Sequence, residues 1–343
     1  FHALGALACV SDPAPDAEPR AAEVAPGVSV DADVSAVLAR RDIDGVVIAA
    51  PAALHAQLCQ QAIRAGKDVL CEKPLALRYE DAKAVADLAR QRERVLMVGH
   101  ILEYHPAILK LRSLIDDGAL GEIRYIYSNR LNLGKVRREE NILWSFAPHD
   151  LAVILRLMGR LPFQVTASGG AYLQPNIADV TVSHLLWEDG KAAHIFVSWL
   201  NPFKEQKLVV VGSEKMATFD DVAKELVLHD RSVKVGHGEP VPVKGEGELI
   251  AYPDDEPLRC ECQAFLDAME SRQPPTTDSG SVIVAPGFGW LGLPQINITS
   301  VTGSRPSVSF DTDGGDEIGN FRGLTGSVRI GSLDGESMNM VGE

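Results

Sequence analysis

Long apolar runs are missing from this 343-residue chain. None approaches the roughly 20 residues that a helix needs to cross a bilayer, so a membrane-spanning helix is excluded. Basic charge is also scarce: 33 Lys and Arg against 47 Asp and Glu leave a formal charge of −14. A general nucleic-acid or anionic-membrane binder needs basic surface and is excluded on that ground. Cysteine is sparse and odd in number. Cys9, Cys59, Cys71, Cys260 and Cys262 show no framework spacing, and with no signal-peptide pattern at Phe1 the expected compartment is a reducing cytoplasm. Cys260-Glu261-Cys262 is the one close pair, and without a second pair to complete a tetrahedral set no metal is expected. A last absence concerns glycine: no G-x-G-x-x-G phosphate loop precedes Asp12.

What is there is a hydrophobic fraction of 45%, enough for cores in about two domains of ordinary size. The first third alternates strand and helix. "GALACVSDP" is a short apolar run stopped at Asp12; "DVSAVLARRDIDGVVIAAP" reads as a helix from about Asp33 and a strand over 45–50. "AALHAQLCQQAIRAG" has helical spacing and stops at Gly66, a natural C′ residue. "KDVLCEKP" is the next strand, "YEDAKAVADLARQRER" an amphipathic helix, and "VLMVGH" a further strand. Repeated strand–helix units at this spacing predict a parallel α/β sheet, whose ligands sit beyond the carboxyl ends of the strands. Three of those ends carry polar or special residues: Asp12; Pro51 with His55; and Glu72-Lys73-Pro74.

Asp12 has a specific reading in a dinucleotide fold. An acid closing the second strand, about 20 residues after the glycine loop, hydrogen-bonds the adenosine ribose and repels a 2′-phosphate, which predicts NAD in preference to NADP. The alternative is a strand-ending Asp-Pro turn. "FHALGALACV" then reads as the tail of a first helix entering a second strand, with the phosphate loop and first strand upstream of Phe1. On that reading residues 1–343 alone are expected to bind NAD poorly and to leave neighbouring strand edges unpaired.

Two long stretches, "AAPAALHAQLCQQAIRAGKDVLCEKPLAL" and "VGHILEYHPAILKLRSLIDDGALGEIRYI", resemble the glucose–fructose oxidoreductase/inositol dehydrogenase/rhizopine catabolism (Gfo/Idh/MocA) family. The Glu-Lys-Pro motif is its most specific mark. "ENILWSFAPHDLAVILRLMG" resembles the branch that oxidises UDP-N-acetylhexosamines or their uronates. The resemblance runs from Phe1 to about Gly280. It implies that Lys73 lies beside the nicotinamide and hydrogen-bonds or deprotonates the hydroxyl losing hydride, that Glu72 positions the nicotinamide ribose, and that Pro74 aims the lysine through an unusual X-Pro geometry. Ala50 and Pro51 then line the cofactor crevice, although relatives often carry Thr where this chain has Ala50, and His55, in the first turns of a helix beside it, either contacts the cofactor or caps that helix. His149 becomes a substrate-side acid/base or hydrogen-bonding partner, read here at the start of an apolar helix whose N-terminus favours a neutral ring. Relatives carry an acid one turn before or three residues after this histidine, where this chain has Ser145 and Ala152, so Asp150 is taken as the substitute. Tyr104 is placed in the sugar pocket or in core packing. Arg130, Lys135, Arg137 and Arg138 form a basic stretch that either pairs with a substrate diphosphate or is a solvated loop.

The remaining segments predict a second, α+β domain. "EIRYIYSNRLN", "FQVTASGGAYL", "DVTVSHLLWEDGKAAHIFVSWLN", "KLVVVGSEKMATFD" and "KELVLHD" read as β segments, with a tight turn at Asp189-Gly190, and "EPLRCECQAFLDAMESRQPP" as a late helix. The expected architecture is thus a Rossmann domain over 1–101 without its first strand and glycine loop. A substrate and oligomerisation domain with an open, mostly antiparallel sheet follows over 102–279, then a glycine-rich tail over 280–343. That tail holds 13 of the 30 glycines and no lysine, and no function is read into it; Asn297-Ile298-Thr299 is a chance sequon in a cytoplasmic protein. Relatives pair through the open sheet face, so a homodimer or homotetramer is expected. The functional expectation is an NAD-dependent dehydrogenase of a UDP-sugar, first choice C3. The competing readings are a non-catalytic sugar-binding homologue, a dehydrogenase of a free sugar or inositol, and hydrolysis through a transient 3-keto sugar.

Overall fold

The computed structural model describes residues 1–138, 140–236 and 238–278, together with the strand segments Ile296–Asn297, Ser309–Phe310, Val328–Gly331 and Ser337–Met340. The rest of the tail, including Ile298 and Thr299 of the sequon, lies outside the described residues. Two compact units are formed, one from residues 1–104 and 255–278, the other from His105–Asp254.

The first unit runs β1 (Cys9–Ser11), α1 (Ala17–Val24), β2 (Ser29–Asp31), α2 (Val34–Ala39), β3 (Gly45–Ile48), α3 (Ala52–Arg64), β4 (Asp68–Glu72), α4 (Tyr79–Gln91) and β5 (Leu96–Gly99). All pairings are parallel, in two pieces, β1 with β2 and β3-β4-β5. β4 is central to its piece and buried from Asp68 to Cys71, as a strand covered on both faces must be. Each fully buried Val or Leu there contributes about 1.5–3 kcal/mol. α3 turns Cys59, Ala62 and Ile63 inward, and α4 does so with Ala82, Val85, Ala86 and Ala89, at the spacing of one helical face. Gly66 takes a φ of 79°, in the left-handed region, and ends α3 where its sequence predicts. Lys67, buried, donates to Arg40 O and Ile43 O at 2.6 and 2.7 Å and so anchors the loop before β3. Among the described residues β1 pairs only with β2 and β3 only with β4, and Val47 on β3 is 44% exposed.

The late helix, α7 (Pro257–Ser271), packs with this first unit and not, as the sequence reading had it, with the second domain. Its apolar face explains why: Phe265 and Ala268 complete a core with Leu70, Val95, Met97 and Tyr104. Arg272 just beyond it reaches Asp68 at 2.6 Å, and Asp68 also caps the Val95 N–H.

The second unit opens with α5 (Pro106–Asp116), followed by β6 (Ile123–Leu131) and α6 (Ile142–Met158). Seven strands follow, β7 (Gln164–Gly170), β8 (Val180–Leu186), β9 (Ala192–Ser198), β10 (Glu205–Gly212), β11 (Met216–Asp220), β12 (Glu225–Lys234) and β13 (Val241–Leu249). They form one eight-stranded sheet in the order β13-β12-β11-β10-β6-β9-β8-β7, antiparallel except for β6 with β9. Gly190 closes the β8–β9 hairpin at a φ of 84°, as its Asp-Gly pair predicts. Alternation along the strands, Ile126 and Ser128 in, Tyr125 and Tyr127 partly out, leaves one face to the helices and one open.

α6 differs from its sequence reading. It begins at Ile142, with the Asn141 side chain accepting from the Trp144 N–H at 3.1 Å, and Pro148 lies inside it. His149 is therefore in its interior, and a helix N-terminus cannot be what tunes its ring.

Candidate functional site

The carboxyl ends of β3, β4 and β5 gather the groups with chemical potential. β4 and β5 run in register with Glu72 opposite Gly99, so Lys73 and His100 leave the sheet from adjacent strands. The Lys73–Pro74 peptide is cis, the geometry the motif led us to expect. Glu72 Oε2 accepts from the Lys73 N–H at 3.3 Å. Its carboxylate lies on Gly99: a Cβ there would sit 3.1 Å from Oε2 and 3.3 Å from the Glu72 Cα, so glycine leaves the acid its place. Lys73 is half-buried.

His55 is 1% exposed, with Nδ1 2.6 Å from Pro74 O and Nε2 2.6 Å from Ala50 O. Each nitrogen lies against a backbone carbonyl, and the nitrogen that carries the proton donates. The ring thus ties the turn after β3 to the Glu-Lys-Pro turn, and direct cofactor contact, one of its two expected roles, gives way to that tie. Ala50 enters through its carbonyl, and Pro51 is the cap residue of α3.

Two groups here escaped the sequence reading. His100 is 1% exposed, neither ring nitrogen has a hydrogen-bond partner, and its pKa falls from 6.5 to about 4, first through burial and then through the charge of Lys73. Glu261 on α7 is 2% exposed, and its carboxyl is pushed from 4.5 to about 8, first by burial and then by Glu72. At neutral pH both buried groups are held in their uncharged forms around the Glu72-Lys73 pair. A lone strand-end histidine and a helix glutamate carry no spacing signal; the "VGH" ending directly beside the Glu-Lys-Pro strand was the clue available.

Other expected site residues are placed differently. Tyr104 belongs to the core: it is 5% exposed, its hydroxyl pairs with Thr277 Oγ1 at 2.9 Å and accepts from the Thr277 N–H at 3.2 Å, and burial pushes its phenol up to about 12. A sugar-lining role for it is withdrawn. Asp12 ends β1 as expected, but its carboxylate accepts from Ala14 N–H at 2.9 Å and pairs with Arg20 at 2.9 Å. An arginine at that position works against the exclusion of a 2′-phosphate.

In the second unit, Arg130 and Asp150 find each other. Arg130 lies on β6, not in a solvated loop, and its Nε and Nη2 approach the Asp150 carboxylate at 2.7 and 3.3 Å, while Ser128 Oγ donates to Asp150 Oδ1 at 2.5 Å. Both charges are buried and mutually satisfied, so neither stands ready for a substrate diphosphate or for the missing acid beside His149. Arg137 pairs with Glu140 at 3.0 Å, and its carbonyl accepts from Gln174 Nε2 at 2.8 Å. His149 is half-buried, one residue before Asp150 on α6.

The donor set fits a nicotinamide dinucleotide in part. Asp12 follows β1 and Glu72 and Lys73 close β4, the strand ends beyond which such a fold holds its ligand. All five cysteines are free thiols, and among the described residues no helix is long and apolar enough to cross a membrane.

Residues 2–100 match the family model described as an oxidoreductase family with an NAD-binding Rossmann fold, and residues 108–218 match the GFO/IDH/MocA C-terminal domain. The UDP-N-acetylglucosamine 3-dehydrogenase of Acidithiobacillus ferrooxidans is 31% identical over 277 residues, covering 80% of this chain and 84% of that one. Its solved structure superposes with a TM-score of 0.70, over 81% of this chain and 88% of that one, at 29% identity. The inositol 2-dehydrogenase of Rhizobium meliloti is 33% identical over 172 residues, covering 48% of this chain and 52% of that one. The Glu-Lys-Pro turn, the parallel strands that present it and these matches agree: the chain belongs to the Gfo/Idh/MocA family of oxidoreductases.

Proposed function

We propose that this protein oxidises a ring hydroxyl, at C3, of a UDP-sugar such as UDP-N-acetylglucosamine or its uronate, with NAD as the oxidant. The observation that carries the reading is Lys73 at the carboxyl end of β4, half-buried, its backbone N–H donating to the Glu72 carboxylate and its charge felt by the buried, neutral imidazole of His100. The likeness over 80% of the chain to a UDP-N-acetylglucosamine 3-dehydrogenase supports the substrate class.

When bound, NAD takes a hydride from the substrate carbon. The chain's own residues do the rest. Lys73 hydrogen-bonds the hydroxyl and receives its proton as the carbon is oxidised; a lysine can do this where its surroundings disfavour a second positive charge. Glu72 fixes the Lys73 backbone through its N–H and offers a carboxylate to the nicotinamide ribose. Asp12 accepts from the adenosine ribose. His149 serves as the second acid/base or hydrogen-bonding group in turnover. Lys135, Arg137 and Arg138, in the loop after β6, meet the substrate diphosphate. The enzyme acts in the cytoplasm, in keeping with its five free thiols, and as a homodimer or homotetramer paired through the open sheet face around Tyr125, Tyr127 and His194.

The test is a screen of the protein for NAD and NADP reduction. UDP-N-acetylglucosamine, its uronate, inositol and glucose serve as candidates, and light scattering gives the assembly size. Reduction of NAD by a UDP-sugar is the expected result. Turnover of inositol or glucose alone would overturn the substrate class, and no turnover of any candidate would overturn the reaction.

A further inference from the structure

His100 is held by its backbone. Its N–H donates to Val98 O at 2.8 Å, and its C=O accepts from the Glu103 N–H at 2.9 Å, so the residue leaves β5 in one fixed direction. Packing alone does not call for a histidine here. A phenylalanine or leucine would fill the same buried space without two polar nitrogens, and polar atoms shut away from water without a partner are costly. Both His100 nitrogens are in that condition. Such atoms point to something that meets them in the working state.

The strand register names the candidate. With Glu72 opposite Gly99, the next residue on each strand is Lys73 and His100, and the charge of the lysine reaches the ring. The ionisable groups around them are Glu72 on the same turn as Lys73, Glu103 after β5, and Glu261 on α7, coupled to Glu72. None of these replaces a neutral acceptor. Carboxylates would draw the ammonium away from a hydroxyl and would hold its proton there, whereas a neutral ring orients the amine without competing for it.

We propose that His100 is the positioning residue for Lys73: as a neutral imidazole it accepts a hydrogen bond from the lysine Nζ and holds that nitrogen in line with the substrate hydroxyl. The two are not hydrogen-bonded in this structure; rotation of the flexible lysine stem, which needs no ligand, closes the gap. The low basicity of His100 suits the role, since a ring that stays unprotonated at working pH keeps its acceptor lone pair. This inference rests on the dehydrogenase reading for its purpose, but not for its test.

Two variants decide it. His100→Phe keeps the volume and removes the acceptor; His100→Gln keeps an acceptor oxygen. The reactivity of Lys73 toward trinitrobenzenesulfonate, followed across pH by mass spectrometry of the Lys73 peptide, needs neither substrate nor turnover. His100→Phe is expected to move the half-labelling pH of Lys73 downward, because the ammonium loses a partner, and His100→Gln to restore it. With UDP-N-acetylglucosamine and NAD, His100→Phe is expected to lower kcat about 10²-fold, the scale of a misplaced reacting group, with KM little changed, and His100→Gln to recover most of it. Equal losses in the two variants, or a Lys73 labelling profile in His100→Phe identical to the parent, would overturn the role while leaving the dehydrogenase reading intact. An undiminished kcat in Lys73→Ala would remove both.

Discussion

The two units treat buried charge in opposite ways. In the second, Arg130 and Asp150 are buried together, forked onto each other and closed by the Ser128 hydroxyl, so the charge is complete within the protein. In the first, the groups around Glu72 and Lys73 are not closed: His100 has two orphan nitrogens, Glu261 one orphan oxygen, and burial moves both pKa values toward the neutral form. A satisfied ion pair specifies structure. Buried groups with strongly shifted pKa values beside a strand-end motif point to a functional site. The contrast assigns Arg130 and Asp150 to architecture and the β4–β5 ends to chemistry.

The largest expected effect breaks the closed pair. Arg130→Ala or Asp150→Ala leaves an uncompensated buried charge and is expected to destabilise the protein by about 3–5 kcal/mol, seen as a drop in Tm. A double variant to apolar residues of matching size should recover most of that loss. Next is His55→Leu, which removes the imidazole donor held between the carbonyls of Ala50 and Pro74. Each unsatisfied buried acceptor costs roughly 1–3 kcal/mol, so denaturant titration should report a loss of that order, together with weaker NAD binding.

The open cluster makes a pH prediction whose signs differ between its members. Glu261, raised from 4.5 to about 8, contributes stability that is complete below pH 4.5 and is lost as pH rises to 8. His100, lowered from 6.5 to about 4, contributes stability that is present above pH 6.5 and is lost as pH falls to 4. Between 4.5 and 6.5 the two slopes oppose each other, so stability should be flat there and fall by about 2 kcal/mol from pH 6.5 to 8, at ~1.4 kcal/mol per pH unit. In Glu261→Gln that alkaline fall should vanish, leaving stability that rises with pH from 4 to 6.5. A Glu261→Gln profile parallel to the parent would show that Glu261 is not protonated in the fold. The smallest effect concerns Asp12: Asp12→Ala should weaken NAD binding about tenfold, the scale of one hydrogen bond to a charged group, and leave NADP binding unchanged or improved through Arg20. Calorimetric titration with both dinucleotides measures it.

Local signals carried much of the fold. Gly66 as a helix stop, Asp189-Gly190 as a hairpin, the buried strand ahead of Glu72 and the capping Asp33 each rest on the preference of one or two residues, and they hold in the structure. The short α1, with Pro19 in its first turn, and the short β2 lack apolar periodicity and give no sequence signal. β13 was missed because "VPVKGEGEL" is mostly exposed and its glycines and charges resemble a loop. α6 was misread because Pro148 looked like a first-turn proline, whereas Asn141 ahead of an apolar run was the true start. The site followed the same divide. Lys73 was legible from a motif, but Tyr104 meets Thr277 across 173 residues and Arg130 meets Asp150 across 20, and pairings of that kind come from packing and leave no mark on spacing.

The central claim is that Lys73 acts on the reacting hydroxyl rather than merely holding the ligand. Steady-state kinetics of Lys73→Ala with NAD and UDP-N-acetylglucosamine test it most directly. A group at work in the transition state lowers kcat and kcat/KM together, here by about 10²–10⁴-fold, with KM near that of the parent. A kcat equal to that of the parent, with the whole effect in KM, would contradict the account.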